Sequence, residues 1–218
     1  FGFVFYDNYA AMKNVNDIQE KITQVIQIND SEKIMTELNE DKEEDDKLYV
    51  NADIVSLIQE NPETIGWLKV NNTNIDYPVV QTINNEYYLN HNFYFEEDKN
   101  GWVFMDYRND PINYDKNTIL YAHGMNTEIM FGTLKNILSS NWYDDVNNHV
   151  IKLSTPTENT LWQVFSVYHI PTTNDYIQTE FTSDEEYQNF LNLIKERSAV
   201  EFSAKVNTCL LYTSDAAD

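Results

Sequence analysis

The feature that most constrains the fold is a series of short β-type segments that begins at Gly66. The segments are rich in Val, Ile, Tyr and Phe, and they are separated by Asn, Asp, Gly and Pro. In chain order they read GWLKV, IDYPVVQ, GWVFMD, NTILYAH, HVIKLST and LWQVFSVYHI. Short strands with turn residues between them are typical of an all-β barrel or sandwich. The sequence therefore predicts a mainly β fold.

Helical patterns precede and interrupt these strands. Between Asn8 and about Leu38 apolar residues recur at helical spacing, which predicts one or two amphipathic N-terminal helices. The segment ADIVSLIQE predicts a short helix before the first strand. Two more helical stretches, MFGTLKNILSS and TSDEEYQNFLNLIKERS, lie among the later segments. The second opens with Ser183 and Glu186, the spacing of a capping box.

The strongly acidic composition restricts the partners. The formal net charge is -22 at pH 7, and Lys and Arg form no cluster. Such a surface repels phosphate backbones, so we expect no nucleic-acid partner, and a neutral, basic or peptidic one instead. The most acidic run, Asn39 to Lys47, lacks the alternating ligands and the Gly turn of a calcium loop, so it is interpreted as a solvated linker.

The sequence offers few groups for chemistry. There is no HExxH or other zinc ligand set, no GxSxG serine elbow and no Gly-rich phosphate loop among only five glycines, so no metal or cofactor is expected. Of the four histidines, His123 stands out because it closes the β-type run NTILYA and precedes Gly124. A His at a strand end is a plausible general acid or base. With Cys209, the only thiol, it leaves a cysteine and histidine pair for nucleophilic acyl transfer.

A string of motifs in order resembles class B sortases. These motifs are NPETIGWLKVNNTNIDYPVVQ, NNEYYLNHNF, GWVFMDYRND, NTILYAHGM, MFGTLKNI and DYIQTEFTSDEEYQNFLNLIKERS, and they cover roughly Asp53 to Ser198. The resemblance implies a sortase-type β-barrel with N-terminal helices and a helix before the late strands. It also implies a membrane-anchored cysteine transpeptidase of Gram-positive bacteria, on the extracellular face of the cell membrane. Such an enzyme cleaves a sorting signal after Thr, forms a thioester on Cys and passes the acyl group to a peptidoglycan amine.

The resemblance also implies roles for individual residues. His123 in YAHGM matches the catalytic His, although the residue before it is Ala122 where the family usually has Gly. The segment Asp106 to Arg108 matches a DYR motif that we interpret as structural. The positions that match the groove for the sorting signal, and that would equally suit barrel packing, are Asn85, Leu89, Thr172, Tyr176 and Ile177.

The end of the chain departs from the family. The family's Cys ends a hydrophobic strand and is followed by an Arg that stabilises the oxyanion, whereas EFSAKVN precedes Cys209 and no Arg follows it. The last letters, CLLYTSDAAD, resemble translated sequencing adapter. We therefore expect Cys209 to be non-native and the chain to be an inactive, C-terminally truncated fragment. The expected divisions are a helical segment and linker at 1–50, the catalytic domain at 51–208 and a non-native tail at 209–218.

Two questions stay open from the sequence. The apolar run FGFVFY at the N-terminus is either the end of a lost membrane anchor or a patch that packs on the domain. The alternative to an enzyme is a noncatalytic surface module whose barrel groove holds a peptide without cleaving it. A papain-like protease is disfavoured because its Cys would precede its His.

Overall fold

The computed structural model describes residues 12–25, 51–124, 127–171 and 175–204. Within these ranges helix α1 occupies residues 12–25, and it is followed by α2 (Ala52–Glu60), α3 (Ser140–Tyr143) and α4 (Asp184–Glu196). The strands are β1 (Thr64–Val70), β2 (Asp76–Val80), β3 (Phe104–Met105), β4 (Leu120–Tyr121), β5 (Val150–Ser154) and β6 (Asn159–Gln163). Short 3₁₀ helices span Tyr87–Leu89, Gly132–Asn136 and Val146–His149.

The strands form one six-stranded sheet in the order β4-β3-β2-β1-β5-β6. All neighbouring pairs are antiparallel except β2 and β3, which are parallel. In β1 the residues alternate between buried and more exposed positions, as expected of a strand with one face on the core. The pairing of β1 with β2 shifts at Gly66, where a Cβ atom would collide with the carbonyl oxygen of Ser154. Only glycine fits at this close approach of β1 and β5.

The hydrophobic core lies between the sheet and the N-terminal helices. The apolar residues Val79, Val80 and Phe104 of β2 and β3 are at most 2% exposed. Helix α1 joins the same cluster through one side of its surface, with the buried residues Val15, Ile18 and Ile22. The predicted amphipathic helix is therefore confirmed for this part of the chain.

Several elements are shorter than the sequence patterns predict. Strands β3 and β4 have only two residues each, and β6 ends at Gln163, where its pairing with β5 stops. The stretch MFGTLKNILSS forms a 3₁₀ helix and only the start of α3. The later helix α4 forms as predicted, and Ser183 accepts a hydrogen bond from the Glu186 N–H as its N-cap.

Some of the sequence predictions lie outside the described residues. These are the apolar run at residues 1–6, the acidic run at 39–47, the groove residue Thr172, Cys209 and the tail at 209–218. Among the residues that are described, no helix is long and apolar enough to cross a membrane.

Candidate active site

His123 lies two residues beyond the end of β4, at the edge of the sheet. Its backbone is held on the C-terminal side of the residue. The His123 carbonyl accepts a hydrogen bond from the Phe131 N–H at 3.1 Å, and the next residue, Gly124, forms a β-bridge with Met130. The half-buried imidazole is thereby fixed at the end of a strand, as the sequence predicts.

The imidazole is oriented by one of the predicted groove residues. Its Nε2 atom lies 2.6 Å from the backbone oxygen of Leu89. A carbonyl oxygen can only accept, so Nε2 carries the proton and donates it. In the neutral imidazole this leaves the lone pair on Nδ1 as the acceptor. Leu89 itself is exposed and belongs to the 3₁₀ helix Tyr87–Leu89.

A buried carboxylate lies beside this strand. The side chain of Asp106, directly after β3, is 0% exposed. It accepts hydrogen bonds from Nδ2 of Asn85 at 2.9 Å and from the hydroxyl of Tyr121, in β4, at 2.9 Å. It also accepts three from Arg108, from the backbone N–H at 3.0 Å, Nε at 2.8 Å and Nη2 at 2.7 Å. The cluster thus joins a predicted groove residue to the strand that leads to His123.

The pKa values in this cluster follow from its hydrogen bonds. Burial alone would raise the pKa of Asp106, but the hydrogen bonds from Arg108, Tyr121 and Asn85 outweigh it and lower the pKa to about 2. Burial, together with the hydrogen bond to Asp106, raises the pKa of Tyr121 to about 12. The hydrogen bond to Asp106 also raises the pKa of Arg108. At neutral pH the cluster therefore contains an ionised Asp, an ionised Arg and a neutral Tyr.

The loop with the remaining groove positions contacts the same cluster. Tyr176 and Ile177 are half-buried. Arg108 Nη2 donates to the backbone oxygen of Ile177 at 2.9 Å. Asn117 Nδ2 donates to the backbone oxygens of Tyr176 and Gln178, at 3.1 and 2.8 Å. Hydrogen bonds thus connect the segments that contain Asn85, Leu89, His123, Tyr176 and Ile177. The remaining predicted groove residue, Thr172, lies outside the described residues.

The other histidines have different surroundings. His91 stacks on Tyr87 at 4.0 Å between ring centroids, and its Nδ1 lies 2.9 Å from the Tyr87 oxygen. His149 is buried, and its Nε2 lies 2.8 Å from the Tyr143 oxygen. His169 is exposed. Within the described ranges no three His, Cys, Asp or Glu side chains are grouped so that they could hold a metal ion.

Both arginines of the chain are engaged by carboxylates. Arg108 pairs with Asp106 at 2.7 Å, and Arg197 pairs with Asp175. The Arg197 guanidinium also lies over the ring of Tyr168, 6.0 Å from its centroid. The charge of each guanidinium is therefore already matched by a carboxylate of the same chain.

From the sequence, the segment Asp106 to Arg108 is interpreted as structural, and neither Asn117 nor Tyr121 is singled out. The available signal is the pattern Asp-x-Arg directly after a buried strand. A carboxylate that follows GWVFM at a strand end is forced towards the interior, and a buried carboxylate requires a partner such as the Arg two residues on.

The chain is similar to sortase B from two bacteria. It is 32% identical over 206 residues to sortase B of Staphylococcus aureus (strain NCTC 8325 / PS 47), covering 94% of this chain and 78% of the relative. It is 34% identical over 158 residues to sortase B of Listeria monocytogenes serovar 1/2a, covering 72% of this chain and 63% of the relative. No protein-family model matches the chain.

A solved structure supports the same relationship. The Staphylococcus aureus sortase B–substrate complex superposes with a TM-score of 0.75 at 30% identity, covering 91% of this chain and 86% of the other. The predicted fold, a mainly β sortase-type barrel with N-terminal helices and a helix before the late strands, is confirmed by this likeness. That helix is α4, which follows β6.

Proposed function

Because this chain belongs to the class B sortases, we propose that it derives from a cysteine transpeptidase whose substrate is the sorting-signal peptide of a surface protein. The Staphylococcus aureus relative has been solved as a sortase B–substrate complex, which supports a peptide groove at the matching place. The groove proposed for this chain consists of Asn85, Leu89, Thr172, Tyr176 and Ile177, with His123 at its end.

The observation that carries the proposal is the hydrogen bond from His123 Nε2 to the Leu89 backbone oxygen. It fixes one tautomer and leaves Nδ1 to exchange a proton. The same contact ties the imidazole to a segment of the proposed groove. The acid–base group and the substrate are then positioned by one backbone element, as a transfer reaction at a bound peptide requires.

In the proposed reaction the cysteine thiolate attacks the carbonyl carbon of the signal's Thr, and the C–N bond of that peptide link breaks. The protonated His123 gives its proton to the leaving amine, and a thioester remains on sulphur. The incoming peptidoglycan amine then attacks the thioester and loses its proton to His123. The C–S bond breaks, and a new amide links the surface protein to the cell wall.

The thiol and the oxyanion group are the parts of this reaction that the described residues do not supply. Arg108 and Arg197 are paired with carboxylates, so the proposal assigns the oxyanion to neither. Cys209 stays in the proposal as a non-native residue, in a chain that spans 78% and 63% of the two relatives. A location on the outer face of a Gram-positive cell membrane, through an N-terminal anchor, is part of the same proposal.

The test compares two proteins, this chain of 218 residues and the gene product read from a longer contig. Each is incubated with a sorting-signal peptide that is a substrate of Staphylococcus aureus sortase B and with hydroxylamine, which captures a thioester acyl group as a hydroxamate. We expect the longer protein to form the hydroxamate and the 218-residue chain to form none. Hydroxamate formed by the 218-residue chain, and lost in its Cys209→Ala variant, would show that Cys209 is the nucleophile and would contradict its assignment as a non-native residue.

His123 is tested in the longer protein. We expect His123→Ala to reduce hydroxamate formation by at least about a hundredfold, since general acid–base catalysis contributes on the order of 10² to 10⁴. The exposed His169→Ala serves as the matched control and should keep the parent rate. Undiminished turnover in His123→Ala would remove it from the mechanism. Peptide binding without turnover in the parent would favour a noncatalytic peptide-binding module.

A further inference from the structure

We infer that Asp106, acting through Arg108, is a positioning residue for the sorting-signal groove. The inference rests on the proposed function, because it concerns the same groove. It assigns the DYR segment a part in holding the peptide, in addition to its part in the packing of the sheet.

Asp106 connects two segments that are distant in sequence. Its Oδ2 atom accepts from Asn85, which precedes the 3₁₀ helix Tyr87–Leu89, and from Tyr121, two residues before His123. These segments also meet at the hydrogen bond between His123 and Leu89. A displacement of the carboxylate therefore affects both the groove wall and the strand that presents the imidazole.

The orientation of the Asn85 side chain depends on Asp106 and on the next residue, Tyr107. Its Nδ2 donates to Asp106, and its Oδ1 accepts the backbone N–H of Tyr107 at 3.0 Å. The carboxamide plane is thereby fixed, which leaves one N–H for another acceptor. An extended peptide in the groove presents carbonyl oxygens that suit this donor.

Arg108 extends the connection to the loop that contains Ile177. Its guanidinium forms a two-point pair with Asp106, and the same Nη2 donates to the backbone oxygen of Ile177. The side chain of Arg108 is 36% exposed, while that of Asp106 is fully buried. Asp106 thus fixes the orientation of the guanidinium, and the guanidinium in turn holds the loop that contains Ile177. Both contacts are possible at once because the guanidinium is planar and carries several donors.

A purely structural role of Asp106 and a positioning role predict different results when Asp106 is replaced. If Asp106 only stabilised the fold, its loss would lower the melting temperature and leave the affinity of the folded protein for peptide unchanged. If Asp106 positions the groove, the folded variant binds peptide more weakly. Asp106→Asn is the suitable change because it keeps the shape but presents an NH₂ group or a neutral oxygen to Arg108, Asn85 and Tyr121.

The experiment uses the 218-residue chain and a fluorescein-labelled sorting-signal peptide that is a substrate of Staphylococcus aureus sortase B. Affinity is measured by fluorescence anisotropy. We expect Asp106→Asn to weaken binding at least about tenfold. Arg108→Lys, which keeps the charge but lacks the fork, should weaken binding with a smaller effect on the melting temperature. The control is Asp76→Asn, which removes a carboxylate that pairs with Lys69 at 2.5 Å and accepts from Trp67 at 2.6 Å. This control should bind as the parent does.

Amide hydrogen exchange provides a second readout that needs no peptide. In Asp106→Asn and in Arg108→Lys, exchange should accelerate over residues 175–178, and the control should retain the parent rates there. If Asp106→Asn does not fold, Arg108→Lys carries the test. If the parent binds no peptide, the proposed function fails together with the inference that rests on it. Parent-like affinity and exchange in a folded variant would overturn it.

Discussion

The acid stability of the protein should depend measurably on Asp106. Hydrogen bonds from Arg108, Tyr121 and Asn85 overcome the effect of burial and lower the pKa of this carboxyl from 3.8 to about 2. A carboxyl with a lowered pKa in the folded state stabilises that state above its unfolded pKa, and this contribution is lost as the pH falls through the folded pKa. The change to test is Asp106→Asn, which cannot ionise.

The size of the effect follows from the two pKa values. One pKa unit corresponds to about 1.4 kcal/mol, so ionisation of Asp106 adds about 2 kcal/mol to the free energy of unfolding at neutral pH. Nearly all of this contribution remains at about pH 4. About half is lost by about pH 3, where the unfolded carboxyl is mostly protonated while the native one is still ionised. The gap between parent and Asp106→Asn should narrow accordingly.

The assay is urea unfolding followed by tryptophan fluorescence, at a series of pH values from 7 down to about 3. The control is Asp184→Asn, because Asp184 also has a lowered pKa, from its hydrogen bond to Lys116, but its side chain is 87% exposed. Salt should screen that exposed pair and leave the Asp106 contribution in place. A stability gap for Asp106→Asn that stays constant from pH 7 to about 3 would refute the reasoning.

Two further pairs of substitutions, each a test variant with its comparison, probe the backbone near the site and the start of α4. Gly101 has a φ of +59°, and a Cβ there would collide with the Tyr88 carbonyl oxygen. We expect Gly101→Ala to cost more than about 2 kcal/mol by thermal unfolding. Gly124→Ala should cost far less, because among the described residues no atom beyond its chain neighbours lies within 4 Å of an added Cβ. Equal losses would contradict this. Ser183→Ala removes the N-cap acceptor of α4 and should cost about 1 kcal/mol, whereas Ser139 makes no side-chain cap bond at α3. A larger loss of unfolding free energy in Ser139→Ala would argue against capping as the cause.

Much of the fold is predictable from the sequence because its main signals are local. The alternation in β1, the apolar spacing of α1 and the capping box of α4 each depend on a few neighbouring residues, and all three appear in the structure. Strands β3 and β4 are much shorter than their patterns suggest. Strand length depends on how long two segments remain paired, which a single segment does not encode.

The candidate site also has one part that local sequence predicts and another that depends on contacts between distant segments. His123 is predictable because a strand pattern, a His and a Gly are adjacent in sequence, and the resemblance to sortases names the groove positions. The contacts of Asp106 with Asn85, of Asp106 with Tyr121, and of Arg108 with Ile177 span 21, 15 and 69 residues. These partners meet only in the folded sheet, so no local sequence pattern predicts their contacts.

The loop that contains Tyr176 and Ile177 is held through its backbone. Asn117 and Arg108 bind the backbone oxygens of residues 176 to 178, and every amino acid presents such an oxygen. Substitutions at residues 176 and 177 therefore change the side chains offered to a peptide while the anchoring bonds persist. Gln178 differs, because its Nε2 also donates to the Glu180 backbone oxygen and to the Glu186 carboxylate. Natural variation in peptide preference can accumulate at residues 176 and 177 without loss of the scaffold. A combinatorial library for altered specificity would randomise these two positions and keep Arg108, Asn117 and Gln178 fixed.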